Sequence, residues 1–151
     1  MREICQDLWT VAADIRVITT NSTVRRDGRA VMGRGCAWEA TQRSPGLAYD
    51  LGRRLTAQGN HVHWLPPYDL VTFPVKHAWW QTADPGLILQ STEELVQLTD
   101  AQIWQTVVMP RPGCGNGCLA WADVRQLIAP LLDDRFVVCS RSRHGMGSGH
   151  R

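Results

Sequence analysis

The chain has 151 residues, 44% apolar and 20% charged, with a formal net charge of +2. That is enough chain to bury a sizeable core in one domain, and the composition excludes intrinsic disorder for the body of the chain. The near-neutral charge does not by itself announce nucleic acid. No run approaches the roughly 20 apolar residues that a membrane helix needs, and Met1-Arg2-Glu3-Ile4 does not open like a secretory signal. A cytoplasmic, monomeric protein without a membrane partner is the expectation.

The cations are lopsided. Of sixteen Lys and Arg residues fifteen are Arg, and Lys76 is the exception. Arg replaces a solvated lysine at little cost but cannot replace an amine that must deprotonate. Residues 1–59 carry nine Arg against six acids, residues 60–134 three cations against eight acids, and residues 135–151 four Arg and no acid. Two basic ends suit either phosphate contacts or plain solvation. The five cysteines, an odd number with no compact framework, suit a reducing compartment. Cys114 and Cys118 have no His or second Cys pair at zinc-ligand spacing, so no metal site is expected.

In chain order, Glu3 to Leu8 reads as a short strand and Asp14 to Thr20 as a buried, β-branched one stopped by Asn21-Ser22. An Arg-rich loop runs from Asn21 to Arg29, a helix is expected over Ala30 to Gln42, and Ser44-Pro45 has the form of an N-cap with Pro at the first helical position of a helix ending near Gly59. His61 to Leu65 and Leu70 to Phe73 are strands parted by Pro66-Pro67, followed by a loop with Trp79 and Trp80. Asp84-Pro85 opens another helix. Gln105 to Met109 is a strand, and Trp121, Val124, Leu127 and Ile128 share a helical face that Pro130 kinks or shortens. Phe136 to Cys139 closes the series. Alternating strands and helices imply an α/β domain with a largely parallel sheet covered on both faces, whose ligands sit at the carboxyl ends of the strands.

Two glycine clusters stand where a strand hands over to a helix: Gly28 to Gly35, and Gly113 to Gly117. Glycine lets the backbone approach a ligand, and a helix N-terminus offers free N–H groups to an anion, so two such loops on neighbouring strands suit a diphosphate. Neither is a Walker loop or a good dinucleotide fingerprint, which argues against ATP hydrolysis and hydride transfer.

Asp14 to Asn21 running into Ala30-Val31-Met32-Gly33-Arg34-Gly35-Cys36-Ala37, then Phe73-Pro74-Val75-Lys76-His77-Ala78-Trp79, then Pro110 with Gly113-Cys114-Gly115-Asn116-Gly117-Cys118-Leu119-Ala120-Trp121, resembles a macrodomain. The resemblance covers roughly residues 2–140. It is nearest to the class holding the terminal ADP-ribose protein glycohydrolase and the antitoxin that removes ADP-ribose from thymidine in DNA. It implies a three-layer α/β/α domain over residues 1–140 with a mixed, largely parallel sheet and ADP-ribose in a cleft at the strand ends, with no cofactor; residues 141–151, mostly Gly, Ser, His and Arg with almost nothing to bury, are expected to form a flexible basic tail. The implied ligand-binding residues are Asp7 and Leu8 at the adenine; Thr20 and Asn21, the latter at the distal ribose; Val31, Met32, Gly33, Arg34 and Gly35 on one side; Gly113, Cys114, Gly115, Asn116 and Gly117 on the other; and Ser140 after the last strand. Read from the residues alone, Asp7 also suits a strand-end cap and Asn21 a turn former.

The resemblance also puts Lys76, together with Asn21, in the catalytic position. In the protein-directed branch the lysine attacks the distal ribose with help from an Asp of the second glycine loop. Here Gly117 holds that Asp's place, and no carboxylate stands between Pro110 and Trp121. A free lysine, with a pKa of about 10.4, is neutral in only about one molecule in 2,500 at pH 7, so without a partner base an electrostatic role is favoured over a nucleophilic one. The implied activity is removal of ADP-ribose from acidic side chains of protein or from thymidine in DNA. The alternative is a reader module that binds ADP-ribose and turns nothing over. Arg25, Arg26, Arg29 and Arg34, with Trp79 and Trp80, suit phosphate contacts and base stacking, or in the tryptophans' case core packing and loop anchoring.

Overall fold

The computed structural model describes residues 1–141; most of the expected basic tail, from residue 142 on, lies outside them. Six strands form one sheet: β1 (Arg2–Cys5), β2 (Ile15–Thr20), β3 (His63–Leu65), β4 (Leu70–Pro74), β5 (Val107–Pro110) and β6 (Phe136–Ser140). Their order across the sheet is β1-β6-β5-β2-β4-β3. All neighbours are parallel except β3, which lies antiparallel against β4. Four helices complete the domain: α1 (Gly35–Arg43), α2 (Leu47–Gln58), α3 (Pro85–Gln102) and α4 (Trp121–Ile128).

Side chains alternate across a strand with period two, and the sheet sorts them onto two cores. Ile15 and Val17 of β2, Val71 and Phe73 of β4, Val107 and Met109 of β5, and Phe136 and Val138 of β6 meet Ile88 and Leu95 of α3 and Val124 and Ile128 of α4. The intervening Ile18, Leu70, Val108 and Val137 meet Ala37 and Ala40 of α1 and Leu47, Leu51 and Leu55 of α2. A sheet apolar on both faces needs a helical layer on each, so this is the expected three-layer α/β/α architecture.

Three boundaries differ most from the sequence reading. β1 stops at Cys5 because Asp7 to Thr10 makes a turn, with the Asp7 carboxylate accepting from Trp9 N at 3.0 Å. α1 starts at Gly35, not Ala30: Ala30 pairs with Val24 as an antiparallel bridge, and the amides of Ala30 and Val31 are spent on Ala48 O and Thr23 O. Ser44 ends α1 instead of opening α2, whose N-cap is Gly46 in the left-handed region. The Pro130 expectation holds, since α4 ends at Ile128 and a 3₁₀ turn follows over Ala129–Leu131.

Gly52 of α2 decides where the Arg-rich loop sits. A β-carbon there would lie 1.8 Å from Gly28 O. Only glycine lets the turn at Arg25 to Arg29, closed by Arg25 N donating to Arg29 O at 2.7 Å, rest directly on the helix. No helix among the described residues is long and apolar enough to cross a membrane.

Candidate functional site

A cleft of about 670 Å³ opens over the carboxyl ends of the parallel strands. Strand order sets out its contents: Asp7 and Leu8 follow β1, Cys139 and Ser140 end β6, Pro110 ends β5 with Arg111, Gly113, Gly115, Asn116 and Gly117 after it, Asn21, Arg25 and Val31 to Gly35 follow β2, and Lys76 follows β4. The two glycine loops thus leave adjacent strands, as expected. The Asn116 amide reaches across to within 3.5 Å of where a side chain on Gly35 would begin.

Every residue singled out as ligand-binding or catalytic from the sequence lines this cleft except Cys114. Its thiol turns away, donating to Pro112 O at 3.5 Å, and packs against the α3/α4 core. Asp7 and Asn21 both take up the turn-forming role, Asp7 with Trp9 N and Asn21 Oδ1 with Thr23 N at 2.9 Å, and both line the cleft. Asn21 also donates from Nδ2 to Val31 O at 3.1 Å, so it ties the end of β2 to the loop on the cleft's wall. Ser140 Oγ donates to Ile4 O at 3.4 Å.

Lys76 is held by its backbone. Val75 N donates to Thr20 O and Asp84 N to Val75 O, both at 2.9 Å, and Asn60 Nδ2 donates to Lys76 O at 3.1 Å. Its Nζ donates to Trp79 O at 3.3 Å, and no carboxylate among the described residues pairs with it. Gly117, which the resemblance matches to the family's Asp, has no room for a side chain. Gly117 is buried, Ala83 N donates to its carbonyl at 3.0 Å, and a β-carbon on it would stand 2.5 Å from Gly113 O and 2.8 Å from the Ala83 methyl.

The lining is cationic. Arg25, Arg34, Lys76, Arg111 and Arg141 outnumber Asp7 and Glu39, and Glu39 is engaged, accepting from Trp9 Nε1 at 3.2 Å and pairing with Arg141 at 3.5 Å. Among the described residues Arg25, Arg34 and Arg111 have no carboxylate partner, whereas Arg29, Arg53, Arg125 and Arg135 elsewhere do. The α1 N-terminus enters the cleft without a side-chain cap, leaving backbone N–H groups free for an anion. Cys36 and Cys139 also line the cleft. Burial pushes the Cys36 thiol up and the Cys139 thiol up to about 11, so both stay protonated at neutral pH and are poor nucleophiles. No group of three or more His, Cys, Asp or Glu side chains able to hold a metal ion occurs among the described residues.

Sequence reasoning missed four contributors. Arg111 lines the cleft with its guanidinium 5.0 Å from the Trp121 ring centroid, and Trp121 is fixed by donating Nε1 to Glu3 at 3.0 Å. Its position directly after a strand end was the available signal. Glu39 and Arg141 reach the site from α1 and from beyond β6, and nothing local to them in sequence announces it. Arg16 acts at a distance: it donates to Leu8 O at 2.9 Å and to Val11 O, clamping the loop that places Asp7 and Leu8.

No family model and no curated protein matches the chain. Solved structures do. The macrodomain of Mycobacterium tuberculosis DarG is 23% identical with a TM-score of 0.76, over 93% of this chain and 97% of that one. The macrodomain of Thermus aquaticus DarG is 22% identical with a TM-score of 0.75, over the same shares. Thermosipho africanus DarTG in complex with ADP-ribose is 18% identical with a TM-score of 0.71; 88% of this chain aligns with 39% of that longer one. Likeness at this identity establishes the fold, and the fold is that of a macrodomain.

Proposed function

We propose that this macrodomain-fold chain binds ADP-ribose and hydrolyses its bond to an acceptor, either an acidic side chain of protein or thymidine in DNA. The observation that carries the reading is the linear order of chemistries along the cleft. From β1 to β4 is four strand steps, roughly 19 Å at about 4.8 Å each, the reach of an extended dinucleotide. A carboxylate, Asp7, stands at one end, suited to an exocyclic amine. The middle holds an uncapped helix N-terminus, Arg34, Arg111 and the glycines Gly33 and Gly115, whose Cα atoms face open space and suit a diphosphate. Lys76 stands at the far end, where the distal ribose would lie. The Thermosipho structure with ADP-ribose supports the choice of ligand.

In the reaction, the bond between the anomeric carbon and the acceptor breaks and its electron pair leaves with the acceptor. Water supplies the new C–O bond and, in net, its proton goes to the acceptor. Lys76 has no carboxylate within ion-pair distance, so its part is electrostatic: a cation placed to stabilise negative charge developing on the departing carboxylate or thymine. Asn21 holds the Val31 loop against the ribose. The test is release of free ADP-ribose from ADP-ribosylated protein and from ADP-ribosylated single-stranded DNA, by the wild type and by Lys76→Ala. Equal rates for the two would remove Lys76 from the mechanism.

The packing around Gly117 favours a second reading, a reader module that retains ADP-ribose without turnover. Calorimetry that finds ADP-ribose bound, with no product from either substrate, would decide for it.

A further inference from the structure

Neither Trp79 nor Trp80 belongs to either core. They are 49% and 68% exposed, which disposes of core packing as their role. The loop that carries them is well fixed: Ser22 donates N–H (3.2 Å) and Oγ–H to His77 O, Trp79 N donates to Thr23 Oγ1 at 3.1 Å, Ala78 N to Gln81 Oε1 at 3.0 Å, and Gln81 N to Ala78 O at 3.1 Å. The indoles brace each other, centroids 5.9 Å apart and planes at 86°. A pinned loop that keeps two large apolar rings in water, one of them lining the cleft, forgoes the stabilisation that burying them would bring, the character of a surface kept for a partner. Trp79 lines the cleft together with Lys76, and its amide contact to Thr23 sets it beside the turn bearing Arg25 and Arg26, neither of which pairs with a carboxylate among the described residues.

We propose that Trp79, braced by Trp80, together with Arg25 and Arg26, forms the acceptor-binding lip of this site and holds the nucleotide flanking the ADP-ribosylated one in a single strand of nucleic acid. The proposal rests on the reading of the cleft as an ADP-ribose site. The indole offers a π-face on which any base stacks, and the two arginines offer cations for the adjoining phosphates, the combination that grips single strands without reading sequence. A peptide acceptor offers neither a base nor a regular row of phosphates. Lys76 Nζ donates to the Trp79 carbonyl at 3.3 Å and both residues line the cleft, so the lip adjoins the amine at the distal-ribose end.

The experiment compares three probes on wild type, Trp79→Ala, Trp79→Phe and Arg25→Gln/Arg26→Gln: free ADP-ribose, an ADP-ribosylated single-stranded oligonucleotide, and an ADP-ribosylated peptide. The readout is the half-saturating concentration for the oligonucleotide relative to the Kd for ADP-ribose, taken as KM where the strand is cleaved and as Kd where it is only held. Trp79→Ala should raise that ratio about tenfold, the worth of one stacked base. Trp79→Phe should recover most of the loss, and the double Arg variant should flatten the salt dependence of oligonucleotide binding. An unchanged ratio in Trp79→Ala overturns the lip while leaving the ADP-ribose reading intact, as does a Trp79 dependence confined to the peptide. A wild type that fails to bind ADP-ribose overturns both.

Discussion

A β-carbon on Gly117 would stand 2.5 Å from the carbonyl oxygen of Gly113. The position where the resembled family places a carboxylate is therefore closed by the loop's own backbone. Gly117→Asp is expected to distort the loop instead of completing a dyad with Lys76, lowering stability by about 1–3 kcal/mol and leaving ADP-ribose release no faster. Thermal melting and the release assay check it; a stable Gly117→Asp with a higher rate would show that the loop yields readily.

Lys76→Ala should slow ADP-ribose release by about a hundredfold or more, the scale on which a group aimed at developing charge contributes. Because the electrostatic role needs only a cation, Lys76→Arg should keep part of the rate. A nucleophilic amine would leave Lys76→Arg as inactive as Lys76→Ala, so single-turnover rates of the two variants separate the roles.

Gly52→Ala should unseat the turn at Gly28, since the added methyl carbon would fall 1.8 Å from Gly28 O. The expected cost is at least about 1–3 kcal/mol, seen as a melting temperature lower by several degrees. An unchanged melting temperature would mean that the turn moves off α2 freely.

His63 is buried on β3, with Nε2 2.9 Å from Gly59 O. Burial holds its imidazole below the ordinary histidine value, reinforced by Arg54 and His61 and opposed by the Gly59 carbonyl and Glu94. The unfolded chain thus takes up this proton at a higher pH than the folded one. Its contribution to stability is complete above the unfolded value of about 6.5 and is lost as pH falls from there through the folded value, with a slope of at most about 1.4 kcal/mol per pH unit. Denaturant midpoints between pH 7.5 and 5 should fall in the wild type and fall less in His63→Gln.

Thiol alkylation at pH 7 should mark the exposed Cys5 and Cys118 and spare Cys36 and Cys139, whose thiols burial keeps protonated. Mass spectrometry locates the adducts. Labelling of Cys36 or Cys139 ahead of Cys5 would contradict the burial.

Much of this was legible in the sequence for identifiable reasons. The β-branched runs at Ile15 to Thr20, Val107-Val108 and Phe136 to Cys139 gave strands because a strand buried on both faces admits little else. The two glycine clusters placed the cleft walls because both fall where a strand hands over to a helix, at the carboxyl ends of adjacent strands. The start of α1 was misplaced because Ala30 to Arg34 has helix-compatible composition, while its amides are taken by Ala48 and Thr23, partners distant in sequence. Cys114 was drawn into the site by its glycine neighbours, but its side chain follows the core.

The sequence by itself determined the layering, through the alternation of helices with strands apolar on both faces, and singled out Lys76 as the lone lysine among sixteen cations. Only the tertiary structure decided what surrounds that amine. Strand order put the loop after β4 beside the loop after β2, which set Lys76 and Trp79 in one cleft with Arg25, and backbone packing between Gly113, Ala83 and Gly117 closed the place of a carboxylate. These are distances between segments far apart in the chain. Local preferences fix which elements form, while the exclusion of volume between packed elements fixes which charges can meet.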